Sequence, residues 1–98
     1  MKIGVFVSDY ALTVDTLDRM PSDKMGIVLV QNGVYHAAVK KDGQASAVLD
    51  KASQVYALRE DLETRGYTED AVDDRVKVIS YGDMVDLIFN EFKQSAWL

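Results

Sequence analysis

The residues able to do chemistry in this chain are few, and their types restrict what that chemistry is. There is one histidine, His36, and no cysteine among the 98 residues. A lone imidazole titrates near neutral pH and can serve as a general base. No serine, threonine or carboxylate is fixed beside His36 by spacing, so it reads first as a packing or surface histidine. Asp9 and Asp83 are candidates for paired carboxylates at neighbouring strand ends, although capping of a helix explains Asp83 equally well. The lack of cysteine removes disulfides, thiolate metal sites, persulfide carriers and cysteine nucleophiles together. With a single histidine left, no metal site is expected. Gly4 is isolated and Gly33 and Gly43 are far apart, so neither phosphate-binding glycine motif occurs and no nucleotide cofactor is expected. No residue is assigned a catalytic role.

Charge narrows the partners. Sixteen acidic against eleven basic side chains give a formal charge of −5, and an acidic surface repels phosphate backbones. Lys40-Lys41 is the only basic pair, so direct nucleic-acid binding is not expected. No apolar stretch approaches the roughly 20 residues that span a bilayer, and the run at the N-terminus is cut short by Ser8-Asp9-Tyr10. The expected location is the cytoplasm, without membrane contact.

The elements that must position these residues follow from periodicity. Residues 3–7, 26–30, 54–58 and 76–79 are short runs, apolar at nearly every position and rich in β-branched side chains, as strands buried on both faces are. Between them, residues 13–20 place Val14, Leu17 and Met20 on one helical face before Pro21. Residues 34–52 read as helical but broken at Asp42-Gly43. Residues 59–65 carry Glu60 and Asp61 in the first turn and Arg65 in the last, with Gly66 placed to end the helix in a left-handed conformation. The final helix is announced by Ser80 and Asp83, three apart in a weak capping box. Met84, Val85, Ile88, Phe89 and Phe92 supply its apolar stripe. Residues 68–74 are acidic and read as a surface loop with room for a short helix. The order β-α-β-α-β-α-β-α predicts one domain over residues 1–98, of the α/β class. Its architecture is a three-layer α/β/α sandwich around a mostly parallel sheet of four to five strands.

In open α/β sheets ligands bind beyond the carboxyl ends of the strands. Here those ends supply a candidate binding rim of Ser8, Asp9, Asn32, Gly33, His36, Glu60, Asp61, Tyr81 and Asp83. Asn32-Gly33 reads either as a turn needing positive φ or as a functional edge. Trp97, one residue from the end, is an unusual tail residue that either folds back on the core or anchors an interface. Tyr35, Phe89, Phe92 and Leu12 are further candidates for an apolar contact surface.

Four segments carry a family resemblance. Residues 27–34, I-V-L-V-Q-N-G-V, are similar to the aliphatic strand and Q/E-D-G-V turn of the DsrH/TusB family, with Asn32 at the usual aspartate position. Residues 55–66 resemble the same family's V-Y-A-L-x-E-D-L-x-A-R-G block, the most specific match. Val78 to Leu87 resembles its I-x-Y-x-x-F-V-x-L segment, and Ser95-Ala96-Trp97 resembles its chain end. The resemblance implies a DsrE/F/H-like fold and a cytoplasmic complex with DsrE-like and DsrF-like subunits. Such complexes pass persulfide sulfur toward tRNA 2-thiouridine or within sulfur oxidation, and the main sulfur-carrying cysteine belongs to the DsrE-type partner. Some members also have a cysteine in the first helix, whereas residues 13–20 here offer none. The implied role is therefore a non-catalytic, cysteine-less relay subunit. The alternatives are a stand-alone homodimer binding a small molecule at the strand ends, or an enzyme using Asp9, His36 or Asp83.

Overall fold

The computed structural model describes residues 2–8, 25–38, 49, 52 and 54–97. The helix expected at 13–20, the break at Asp42-Gly43 and the candidate residues Asp9 and Leu12 lie outside them. Five strands form one sheet: β1 (Lys2–Val7), β2 (Met25–Leu29), β3 (Gln54–Leu58), β4 (Val76–Ile79) and β5 (Phe92–Trp97), in the order β4-β3-β2-β1-β5. All four pairings are parallel. The helices are α1 (Tyr35–Ala38), α2 (Arg59–Thr64) and α3 (Tyr81–Asn90), with 3-10 turns at Gln31–Val34 and Glu69–Ala71. None of the described helices is long and apolar enough to cross a membrane.

Strict alternation along each strand divides the core in two. Val5, Val7, Met25, Ile27, Leu29, Val55 and Ala57 pack on one side with Val34, Ala37 of α1 and Leu62 of α2. Phe6, Val28, Tyr56, Leu58 and Ile79 pack on the other with Met84, Leu87 and Ile88 of α3. Both faces are covered, which is why the strand sequences are apolar at nearly every position.

The fifth strand corrects the reading of the last helix. The helix stops at Asn90, and Phe92 opens β5 rather than continuing the apolar stripe. β5 runs beside β1 with a register shift at Lys2/Ile3, and Trp97 pairs with Phe6 in the backbone register. The tail is thus tied down as an edge strand. The Phe92 ring lies across Gly4 and Gly26, which are register partners on β1 and β2. A Cβ on Gly4 would collide with the ring, and one on Gly26 would lie 2.9 Å from Phe92 Cε1. The two glycines open a slot in the sheet face that one aromatic ring fills, leaving it 5% exposed. Phe92 therefore belongs to the core and not to an exposed contact surface.

Both helix ends expected from sequence form as local chemistry dictates. The Gly66 N–H donates to the Glu63 carbonyl at 3.0 Å and the Tyr67 N–H to the Leu62 carbonyl at 3.0 Å. With Gly66 at φ 81°, this is the Schellman arrangement, completed by Tyr67 packing on the cluster that contains Leu62. No atom lies within 4 Å of a Cβ built at Gly66, so the objection to a side chain there is conformational alone. Gly66→Val should cost about 1–2 kcal/mol, and Gly66→Asn, which tolerates the left-handed region, distinctly less. Urea denaturation of the two variants checks this, and equal losses would show that the dihedral is not the cause. At α3, Ser80 Oγ accepts from the Asp83 N–H at 3.2 Å and Asp83 Oδ2 accepts from the Ser80 N–H at 3.2 Å. Asp83 is spent on this reciprocal cap.

Candidate functional site

A wholly parallel sheet places every strand's carboxyl end on one rim, and there the expected residues can be compared with their positions. After β2 the chain turns sharply. Gln31 takes φ 50°, and the Gly33 N–H donates to the Val30 carbonyl at 2.8 Å. Neither Asn32 nor Gly33 has positive φ, so the expected reason for this Asn-Gly pair is wrong in detail. The glycine is required by approach instead: a Cβ at Gly33 would run into the carbonyl of Val7 at the end of β1. The Val30 N–H donates to that same carbonyl at 3.0 Å, so the β2 turn is folded directly onto the end of β1.

The start of α2 holds this turn from the other side. Asp61 Oδ2 accepts from the Gln31 N–H at 2.7 Å. Arg65, at the end of the same helix, donates from Nε and Nη2 to Asn32 Oδ1 at 3.1 and 3.0 Å. Its Nη1 donates to the Asp61 carbonyl at 3.1 Å, and its guanidinium carbon stands 6.0 Å from the centre of the Tyr35 ring. Tyr35 in turn meets Tyr67 edge-on, centroids 5.8 Å apart. Local spacing assigns Arg65 only a place in the last turn, complementing the helix dipole. Its proximity to Asn32, 33 positions away, is fixed by pairing of β2 with β3 and by nothing local.

The remaining described rim residues are also engaged. Glu60 Oε2 accepts from the Tyr81 N–H at 3.1 Å, joining the start of α2 to the start of α3. Ser8 follows β1 and is half-buried. His36 lies in α1, 4% exposed, so it is a core histidine and not a solvent-facing base. The described part of the rim thus brings Asn32, Asp61, Glu60 and Tyr81 together around α2, and adds Arg65. Asp83 stands beside this group, its carboxylate on the Ser80 N–H next to the Tyr81 N–H that donates to Glu60, and its expected pairing with Asp9 falls outside the described residues. His36 is buried in α1. No buried side-chain nitrogen or oxygen among the described residues lacks a hydrogen-bond partner, and no three described acidic or histidine residues gather as metal ligands.

Because Arg65 carries a two-pronged bond to one oxygen from a side chain only 19% exposed, removing it should be felt. Arg65→Ala is expected to cost about 1.5–3 kcal/mol, the range for bonds with a charged donor. Lysine should not restore it, since a point ammonium cannot reproduce the fork. Chemical denaturation of both variants is the measurement, and full rescue by lysine would refute the clamp.

Reaching the rim only at Asp83, a groove of about 350 Å³ between α3 and the β3–β4 part of the sheet is lined by Tyr56, Lys77, Asp83, Asp86, Asn90 and Glu91 among others. The Tyr56 hydroxyl donates to Gln54 Oε1 at 2.8 Å. Burial, and then the Glu91 carboxylate, push its pKa above the usual tyrosine value. A phenol held neutral and already hydrogen-bonded is a packing group here, not an acid or base.

Comparison with known proteins agrees with this geometry. The family described as DsrH like protein matches residues 7–94. Protein TusB of Photorhabdus laumondii is 33% identical over 90 residues, covering 92% of this chain and 93% of that protein. Protein TusB of Pectobacterium atrosepticum is 39% identical over the same coverage. Among solved structures, Tm0979 of Thermotoga maritima superposes with a TM-score of 0.62 at 30% identity, over 93% of this chain and 95% of that one. MTH1491 of Methanobacterium thermoautotrophicum reaches 0.65 at 18% identity, over 100% and 98% respectively, and shares the fold. With the strand–turn–helix block around Asn32, Asp61 and Arg65 assembled as described and the family matched along nearly its whole length, the chain belongs to the DsrH/TusB family.

Proposed function

We propose that this chain is a subunit of a sulfur-relay complex serving tRNA 2-thiouridine formation, and that it acts by docking and not by carrying sulfur. The observation that carries this reading is the pairing of near-full-length similarity to proteins named TusB with the absence of any cysteine. Persulfide transfer needs a thiolate to attack and to be attacked. A chain without one contributes binding energy and geometry while the thiol sits on a partner. The strand-end rim supports the same view, since Asp61, Arg65, Asn32 and Glu60 are used to fix the chain's own turns.

The test is native mass spectrometry of the chain with DsrE-like and DsrF-like proteins from the same source. A stoichiometric hetero-oligomer is expected. After loading with a persulfide donor, the DsrE-like subunit should gain sulfur while this chain's mass stays unchanged. Deleting the gene should lower the 2-thiouridine content of tRNA, and an unchanged content would remove the tRNA branch of the reading. A homodimer indifferent to both partners would overturn the subunit reading itself.

A further inference from the structure

We propose that the outward ridge of α3, formed by Tyr81, Val85 and Phe89, is the surface on which a partner subunit docks. That partner's matching surface is an apolar patch edged by lysine or arginine. This rests on the relay-subunit reading above and specifies where and to what the chain binds.

The argument begins with helix spacing. Residues four apart stack into ridges along a helix, and α3 sorts its side chains cleanly between them. Met84 and Ile88 form the ridge that packs, together with Leu87, on the sheet. Gly82, Asp86 and Asn90 form a polar ridge, all exposed. Between these two lie Tyr81, Val85 and Phe89. Tyr81 is 59% and Phe89 79% exposed, and they are the large apolar side chains left most open among the described residues. Scattered apolar residues on a surface need no explanation. Two aromatics aligned on one ridge, contiguous with the core-facing ridge through Ile88, are a patch. The ridge is rigid at its start, because the Ser80–Asp83 cap and the Tyr81–Glu60 bond fix the first turn. A preorganised aromatic ridge loses little entropy on binding, and aromatic side chains dominate such contacts.

Charge selects the occupant. Between its N-cap and C-cap, α3 has Asp83, Asp86 and Glu91 and no basic side chain. Asp86 is three residues before Phe89 and borders the ridge directly. A second copy of this chain packed ridge to ridge would bring Asp86 toward its equivalent, on a molecule already at −5, whereas Asp83 and Glu91 lie round the helix, lining the groove beside Tyr56. A partner whose apolar patch is bordered by basic groups meets attraction instead.

The experiment measures affinity between the full chain and the DsrE-like and DsrF-like proteins by titration calorimetry, alongside thermal melting of each variant. Phe89→Asp should weaken binding on the order of 30-fold or more, as loss of a central aromatic anchor does. Its melting temperature should stay near wild type, since the ring is exposed. Asp86→Lys should weaken binding a few-fold, with a larger effect at low ionic strength. Wild-type affinity in Phe89→Asp would overturn the ridge while leaving the subunit reading intact. Tighter binding by Asp86→Lys would overturn the basic-rimmed partner. If the unaltered chain binds neither protein, the subunit reading falls and the ridge assignment with it. Loss of a homodimer in Phe89→Asp, without effect on either partner, would assign the ridge to a second copy and overturn the proposal.

Discussion

Gly33→Ala should destabilise this protein by about 3 kcal/mol or more, an unusually large effect for adding one methyl group. The methyl would occupy the position of the Val7 carbonyl, a backbone atom that cannot rotate away as a side chain would. That carbonyl also receives the Val30 N–H at 3.0 Å, so relief requires moving the end of β1 away from β2. The Gly33 N–H would be pulled from the Val30 carbonyl as well, and the Gln31 and Asn32 contacts to α2 would follow. For a domain of this size the loss corresponds to a fall in melting temperature of roughly 12–24 °C. Gly82→Ala is the control: it lies in α3, where a Cβ meets nothing closer than Ser80 Oγ at 3.8 Å. Helix propensity then predicts a neutral or slightly stabilising change. Equal melting temperatures for the two variants would sink the close-approach account.

The second large effect is expected at Phe92. Phe92→Ala should cost about 3–5 kcal/mol, the transfer loss of a buried ring plus the cavity it leaves. The diagnostic is coupling with the slot. Gly4→Ala alone forces a Cβ into the ring and should be strongly destabilising. In the Phe92→Ala background the same methyl enters vacated space and should be close to neutral, or should recover part of the loss. A double-mutant cycle by urea denaturation reads this as a non-additive term of about 1 kcal/mol or more, as residues in contact show. Additive costs would mean that Gly4 and Phe92 do not share the space the structure gives them.

The Phe92 case also shows why one part of the fold was read wrongly from sequence. Phe92 falls in phase with Met84, Val85, Ile88 and Phe89, so periodicity assigns it to the helix. The helix nevertheless ends at Asn90, and the segment that follows gains backbone pairing along β1. Hydrogen bonding to a strand some ninety residues earlier in the chain is not written in local spacing. The same holds for Gly4, an isolated glycine until a ring arrives over it. At the rim, the strand pattern places Asn32 and Asp61 at strand ends, and it offers Tyr35 and Phe89 as candidates for an apolar contact surface. Their uses differ: Tyr35 packs under Arg65 and against Tyr67, whereas Phe89 stays open.

The sequence by itself determined what short-range physics controls. Four strands follow from runs apolar on both faces, the ends of α2 and α3 from Gly66 and the Ser80–Asp83 pair, and the exclusion of thiol chemistry from composition. Tertiary structure alone decided the rest. It placed a fifth strand against β1, fitted Phe92 into the Gly4–Gly26 slot, moved the positive φ from the Asn-Gly pair to Gln31, and joined Arg65 to Asn32. Each of these depends on chain segments far apart in sequence meeting across a parallel sheet, and residue type sets such meetings only after the register between strands has been fixed.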